Sequence, residues 1–359
     1  MKAQKKTIVP RLVADDNGYA DHKIAWFDSD RKILTLKVPS LIEVGSTNSL
    51  SDAQGNAVGA YEVGGVRYTC DPTVRNPMNI RNSEYPTSLA NRVLVNHALT
   101  RAGLLGLPAR IAVTLPLRDY YNQDGSVNET LKAATINNFT QGEGKTVTVI
   151  GSEAQPEILS VSAYCEALCG YFDWAMDEAC NIRDEAMNLQ GEIAIVDIGG
   201  STTDILAVQL SDNRLIINNA SSGTEKAGVL DAKNALDAKV REHMVKEGVA
   251  VSGHDKSLPA WFVNLIMQKG EAKYLSKDWK LADIRDEACG EVAERITSYI
   301  RSKLGNLGNY QVIIVIGGGA IVFKQWLEQM LPGAEFMDEF ANARGALKYM
   351  AAWGSFEDQ

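Results

Sequence analysis

Residues 192–210, Glu192-Ile193-Ala194-Ile195-Val196-Asp197-Ile198-Gly199-Gly200-Ser201-Thr202-Thr203-Asp204-Ile205-Leu206-Ala207-Val208-Gln209-Leu210, decide how this chain is read. Two apolar runs flank an Asp-led turn of small residues, which predicts strand, turn and strand. The same plan opens the chain. Residues 11–14 read as a strand, Asp15-Asp16-Asn17-Gly18-Tyr19-Ala20-Asp21 as a turn, and residues 22–27 as a second strand. Asp16 and Asp197 stand half a chain apart, which predicts an internal duplication with different insertions in each half.

Each turn suits a phosphate chain. Backbone N–H groups at small turn residues point inward and cradle anionic oxygens, as Asn17-Gly18-Tyr19-Ala20 and Gly199-Gly200-Ser201-Thr202 allow. Asp16 and Asp197 are suited to ordering the water shell of Mg²⁺. Lys23 is placed to counter phosphate charge. A third element, residues 312–316 followed by Gly317-Gly318-Gly319-Ala320, lets a base or sugar lie against backbone with no Cβ in the way.

Composition narrows the class. A chain of 359 residues exceeds one compact core and suits two domains. With 45% apolar and 23% charged residues it is globular. A formal charge of −9 argues against a surface that grips nucleic acid or anionic lipid directly. Five irregularly spaced Cys and no secretory leader point to a reducing, cytoplasmic setting, and no run approaches the ~20 apolar residues of a membrane span.

Between the turns the pattern is mixed. It predicts an alternating strand at 32–38, a hairpin closed on Gly64-Gly65, a helix at 88–102, strands at 110–115 and 145–150, and helix from about 157 to 189. Helices over 226–304, a strand at 311–316, a helix at 321–331 and a last helix at 340–353 follow, giving an α/β protein. Gly142-Glu143-Gly144-Lys145-Thr146 imitates a P-loop, but Phe139 stands where Gly is needed and a strand follows. Cys165, Cys169 and Cys180 read as buried thiols, and His22, His97, His243 and His254 lack nucleophile partners. Trp261, Phe262, Leu265 and Ile266 read as core.

Asp16-x-Gly18…Lys23, Asp197-x-Gly199-Gly200-Ser201-Thr202-x-Asp204 and Gly317-Gly318-Gly319, in that order, resemble the phosphate-1, phosphate-2 and adenosine motifs of the actin/Hsp70/hexokinase ATPase superfamily. The likeness narrows to ParM-type plasmid-segregation actins. Val113-Thr114-Leu115-Pro116-Leu117-Arg118-Asp119-Tyr120-Tyr121 is similar to that family's T-L-P-L-x-x-Y-Y stretch. Asn96-His97-Ala98-Leu99 is similar to its x-H-A-L helix, and Val315-Ile316-Gly317-Gly318-Gly319-Ala320 to its V-I-G-G-G-A.

The resemblance implies an actin-like ATPase fold with two pseudo-equivalent domains around a nucleotide cleft. The expected division is 1–160 plus 340–359, with a smaller insertion at about 32–95, and 161–339. It further implies ATP, with GTP left open, and Mg²⁺ ordered by Asp16 and Asp197. The implied activity is ATP hydrolysis coupled to filament assembly, and the implied partners are further copies of the chain and a DNA-binding adaptor on a centromere-like plasmid site. Glu153-Ala154-Gln155-Pro156 resembles the family's E-x-x-P segment, which makes Glu153 the residue expected to orient the attacking water, with Glu157 its rival. Gly223, Glu225, Lys226, Lys269 and Lys273 are the expected contacts toward ribose and base. The first turn departs from the best-known relatives in lacking their Ser and Thr hydroxyls. The alternative functions are a small-molecule kinase and a non-polymerising ATPase on the same fold.

Overall fold

In a computed structural model, the described residues are 9–45, 59–72, 74, 76–140, 142, 144–211, 214–249 and 257–354. The basic start, Glu143 and His254 lie outside them. The chain divides into two units, residues 1–189 with 340–359, and residues 190–339.

The first unit runs β1 (Arg11–Asn17), β2 (Asp21–Phe27), β3 (Ile33–Pro39), β4 (Ile42–Val44), β5 (Ala60–Val63), β6 (Val66–Cys70) and α1 (Leu89–Arg101). It continues with β7 (Pro108–Leu115), α2 (Leu117–Tyr120), α3 (Glu129–Phe139), β8 (Thr148–Val149), β9 (Glu157–Cys165), α4 (Leu168–Ala175) and α5 (Asp184–Met187). Its main sheet has the order β3-β2-β1-β7-β9. The β1–β2–β3 meander is antiparallel, whereas β1, β7 and β9 are parallel and end at the same edge. Alternation sends Val13, Ile24, Ile111 and Val113 to one face, against Val95, Ala98 and Leu99 of α1.

The second unit comprises β10 (Glu192–Ile198), β11 (Thr203–Ser211), β12 (Arg214–Ile217), β13 (Gly223–Glu225), α6 (Val229–Lys246) and α7 (Ala260–Lys269). Then come β14 (Glu271–Tyr274), β15 (Lys277–Lys280), α8 (Ala282–Leu304), β16 (Tyr310–Ile316), α9 (Gly318–Val322), α10 (Lys324–Met330) and β17 (Glu335–Phe336). Its sheet order, β12-β11-β10-β16-β17, with β10, β16 and β17 parallel, repeats that of the first unit strand for strand. The internal duplication read from the two Asp-led turns is therefore a duplication of topology.

The last helix, α11 (Ala341–Trp353), returns to the first unit. Ala14, Ala25 and Ala112 line the sheet face it covers, and their small side chains let a helix approach closely. A Cβ on Gly345 would stand 1.7 Å from the Cys169 carbonyl oxygen, so α11 and α4 cross with no room for a side chain there. Asp173, buried on α4, clamps the crossing through Arg344 Nη2 at 2.6 Å and Lys348 Nζ at 2.8 Å. Leaving such a carboxylate unpaired would cost several kcal/mol, of order ~3.

Four expectations are corrected. Residues 157–165 form strand rather than helix, because Val161, Ala163 and Cys165 turn inward with Ser160 and Ser162 between them, and the backbone pairs in parallel with β7. Consequently the first unit extends to residue 189 rather than 160, since β9 and α4 pack inside it. The insertion is also shorter than 32–95: β3 belongs to the main sheet, and a separate sheet of order β4-β6-β5-β8 forms the addition. Finally, the helices expected over 226–304 are interrupted by the β14–β15 hairpin. The hairpin at Gly64-Gly65 is present, both glycines having positive φ as its tight turn requires. Trp261 is exposed, whereas Phe262 and Ile266 are buried.

Candidate functional site

Asp16 sits one residue before the end of β1 and lies opposite Lys23 in β2. Its carboxylate is buried, with Oδ2 2.9 Å from Lys23 Nζ and Oδ1 3.1 Å from the Thr114 hydroxyl at the end of β7. With both oxygens engaged, Asp16 suits ordering metal-bound water better than direct coordination. Asn17 fixes the strand end by accepting from the Thr114 amide at 2.9 Å and donating to Asn91 on α1.

The turn itself is held from behind. Ser40 Oγ donates to the Gly18 carbonyl at 2.7 Å, and the Ser40 amide donates to the Ala20 carbonyl at 3.0 Å. Both carbonyls point toward Ser40. Among the described residues no backbone acceptor takes the Tyr19 or Ala20 amide, which is the arrangement an anion needs. Beneath the turn, Asp15, on the opposite sheet face from Asp16, meets His22 Nδ1 at 2.8 Å. His22 Nε2 in turn meets the Tyr85 hydroxyl at 2.8 Å. Burial raises the Asp15 carboxyl above its ordinary range, opposed by His22.

In the second unit Asp197 is buried one residue before the end of β10 and lies opposite Asp204. The Gly199 amide closes the turn on the Thr202 carbonyl at 2.8 Å. The amides of Val229 and Leu230, at the start of α6, hold the Gly199 and Gly200 carbonyls at 3.1 and 2.8 Å. Among the described residues no backbone acceptor takes the Gly200, Ser201 or Thr202 amides. The Ser201 Oγ is buried without a hydrogen-bond partner among them, and such an orphan costs about 1–3 kcal/mol unless a ligand satisfies it. Asp204 accepts from Thr202 Oγ1 and Thr224 Oγ1 and so ties β11, β13 and the turn together.

The three glycines after β16 serve different ends. A Cβ on Gly317 would stand 2.5 Å from the Ile198 carbonyl and 2.6 Å from Asp197 Oδ1, and one on Gly319 would stand 2.1 Å from Ile198 Cγ2. Those two glycines permit backbone to close on the end of β10. Gly318 has its nearest neighbour 3.9 Å away and is the member with room for a ligand. Ala320 is buried.

Other expected contacts are dispersed. Gly223 and Glu225 lie on β13, where Tyr299 and Lys303 of α8 cover Gly223. Lys226 is exposed beyond it, Lys269 ends α7 exposed, and Lys273 lies exposed on β14 opposite Asp278. Glu153 is exposed in the loop before β9, at the strand end opposite to Asp16. Eight strand residues at ~3.3 Å put roughly 25 Å between those ends. The carboxylate that the fold does bring to Asp16 is Glu166, directly after β9, whose Oε1 is 3.3 Å from the Thr114 hydroxyl. Thr114 thus has one proton to share between Asp16 and Glu166. Reading 157–189 as helix concealed Glu166; the Ser160/Ser162 alternation was the available signal. Gly228 was also missed: its Cβ would stand 2.6 Å from the Gly200 carbonyl oxygen.

Each hairpin, taken by itself, offers a buried carboxylate suited to a hydrated cation and unpaired turn amides suited to anionic oxygens. Among the described residues no cluster of three or more His, Cys, Asp or Glu could hold a metal on its own, and no helix is long and apolar enough to cross a membrane.

Two family models match the chain: plasmid segregation protein ParM, N-terminal, over residues 11–176, and archaeal actin homologue MreB-like, C-terminal, over residues 195–329. No curated protein matches. Among solved structures, the chain is similar to a 15-stranded ParM filament from Clostridium botulinum, with TM-score 0.73 and 19% identity over 96% of this chain and 99% of that one. It is also similar to the archaeal actin homologue Ta0583 in complex with ADP, with TM-score 0.71 and 19% identity over 95% and 98%. A third is a non-polymerisable quadruple mutant of pCBH ParM, with TM-score 0.70 and 18% identity over 96% and 100%.

Proposed function

We propose that this chain, an actin-fold protein similar to the ParM-type actins, binds Mg²⁺–ATP, polymerises and hydrolyses the nucleotide after assembly. The filament would move plasmid DNA through a DNA-bound adaptor. The observation that carries the reading is the repeated hairpin, with a buried Asp at each strand end and unpaired turn amides beyond it. The acidic charge of the chain supports a link to DNA through a basic partner rather than by direct contact.

Hydrolysis of a phosphoanhydride demands positioning and charge neutralisation more than covalent chemistry. When bound, Mg²⁺ supplies neutralisation of the phosphate oxygens. Asp16 and Asp197 would order the water around it, and Lys23 holds the Asp16 carboxylate in place at 2.9 Å. The Tyr19, Ala20, Ser201 and Thr202 amides take phosphate oxygens, with the Ser201 hydroxyl as a further donor. Glu166, rather than Glu153, orients the attacking water, because it shares Thr114 with Asp16. Gly318 faces the adenosine.

The test is sedimentation and light scattering of the full chain with Mg²⁺–ATP against ADP, combined with phosphate release. ATP-dependent pelleting followed by phosphate release is expected. A chain that stays in the supernatant while phosphorylating a metabolite would instead be a small-molecule kinase. Hydrolysis without pelleting at any concentration would make it a non-polymerising ATPase.

A further inference from the structure

We infer that His22 is a positioning residue for the first turn, holding Tyr19 in place through the Tyr85 hydroxyl. The inference rests on the reading of that turn as a phosphate cradle and names what sets the cradle's shape.

Ser40 braces the two sides of the turn, through the Gly18 and Ala20 carbonyls, and Tyr19 stands between them. The Tyr19 hydroxyl meets the Asn82 carbonyl only at 3.4 Å, long for an O–H donor. Its ring is held more closely. The ring centroids of Tyr19 and Tyr85 lie 5.2 Å apart, with the planes tilted by 38°. Tyr85 opens the 3-10 turn Tyr85–Thr87 before α1 and is buried. It belongs to the core under the added sheet β4-β6-β5-β8, and Tyr19 packs against that same core.

What holds the Tyr85 hydroxyl is His22. His22 is fully buried on β2, on the sheet face that also carries Asp15. An ionised carboxylate only accepts, so with Asp15 Oδ2 at 2.8 Å the ring proton sits on Nδ1. Nε2 is left to accept from the Tyr85 hydroxyl, also at 2.8 Å. Burial raises the Tyr85 phenol well above its ordinary value, so the hydroxyl keeps the proton this bond needs. The chain Asp15–His22–Tyr85 therefore runs from the hairpin strands to the ring against which Tyr19 rests. Among the described residues the Tyr19 and Ala20 amides meet no backbone acceptor. A shift of about 1 Å at the tip would carry both out of hydrogen-bonding range of a bound oxygen.

The experiment pairs calorimetric titration of the full chain with Mg²⁺–β,γ-imido-ATP and thermal melts, for the parent, Tyr85→Phe, His22→Asn and His22→Gln. In His22→Asn the amide nitrogen stands near the Nδ1 position, which keeps Asp15 partnered and loses Tyr85. In His22→Gln the amide reaches the Nε2 position, which keeps Tyr85 and loses Asp15. His22→Gln should therefore melt lowest yet bind within about 3-fold of the parent. His22→Asn and Tyr85→Phe should melt higher and bind about 10-fold more weakly, the upper worth of one hydrogen bond. Affinity that follows melting temperature overturns the inference, because a merely structural network ranks the variants that way. Tyr85→Phe binding within about 2-fold of the parent overturns it too. Should a His22 variant fail to fold, Tyr85→Phe, which keeps both the ring and the Asp15–His22 pair, decides. A parent that does not bind the analogue overturns the nucleotide reading and this inference with it.

Discussion

The two hairpins are copies in topology and opposites in chemistry. Opposite the first Asp stands Lys23, and opposite the second stands another carboxylate, Asp204. The first turn has one glycine and a bulky Tyr19, is braced by Ser40, and has Thr114 and Glu166 beside Asp16. The second has two glycines and hydroxyl side chains, and is braced by the start of α6. Duplication thus preserved the strand order while the units divided their tasks. In the proposed function the first would contribute a cation and the water-orienting carboxylate beside its turn amides, and the second turn amides and hydroxyls.

The sharpest way to break this division is at Glu166. Glu166→Gln should slow phosphate release about 100-fold with nucleotide affinity little changed, as loss of a positioned acid–base group does. Glu153→Ala should leave the rate within about 2-fold. The reverse ranking, read by a phosphate-release assay, would return the task to Glu153.

Next comes the brace of the second turn. Gly228→Ala meets two backbone carbonyls at 2.6 and 2.7 Å, and backbone cannot swing aside. It should cost about 2–3 kcal/mol in urea unfolding. Gly18→Ala, with one carbonyl at 3.0 Å, should cost about 1 kcal/mol. Equal costs would show that the two turns are held alike.

A smaller contrast separates the partners of the two Asp residues. Lys23→Ala leaves Asp16 buried without its cation and should cost about 2 kcal/mol, less than a fully buried pair because some water reaches Lys23. Asp204→Asn loses one of two hydroxyl contacts and should cost about 1 kcal/mol. Denaturation midpoints of both variants check the order.

The smallest effect is in acid. Among the described residues both buried histidines, His22 and His97, belong to the first unit. Burial lowers His97 from 6.5 to about 3, and it is hydrogen-bonded to the Tyr61 hydroxyl. The unfolded chain therefore takes the proton first as pH falls, so this contribution to stability is present above pH 6.5 and declines toward pH 3. Between pH 6.5 and 5.5 the loss is about 1 kcal/mol. His97→Gln should remove it, seen as a flatter pH dependence of the urea midpoint over that interval.

Much of the site was legible because its signals are local. Asp-x-Gly between alternating apolar runs forms a hairpin turn whatever surrounds it, and Gly317-Gly318-Gly319 ends a buried strand wherever it lies. Residues 157–175 were illegible for the opposite reason. Glu157 to Cys169 reads on through Cys165-Glu166-Ala167 with no Gly or Pro to separate strand from helix. Only pairing with β7 settles that the first nine residues are extended.

By itself the sequence determined the strand–turn–strand units, their repetition and the carboxylates that lead them, since these follow from periodicity and from what small residues permit. The tertiary structure decided which other groups join them. Glu166, Thr114, Ser40 and Gly228 reach the turns through strand pairing and helix packing between segments far apart in the chain. Nothing within a local window of residues encodes that proximity.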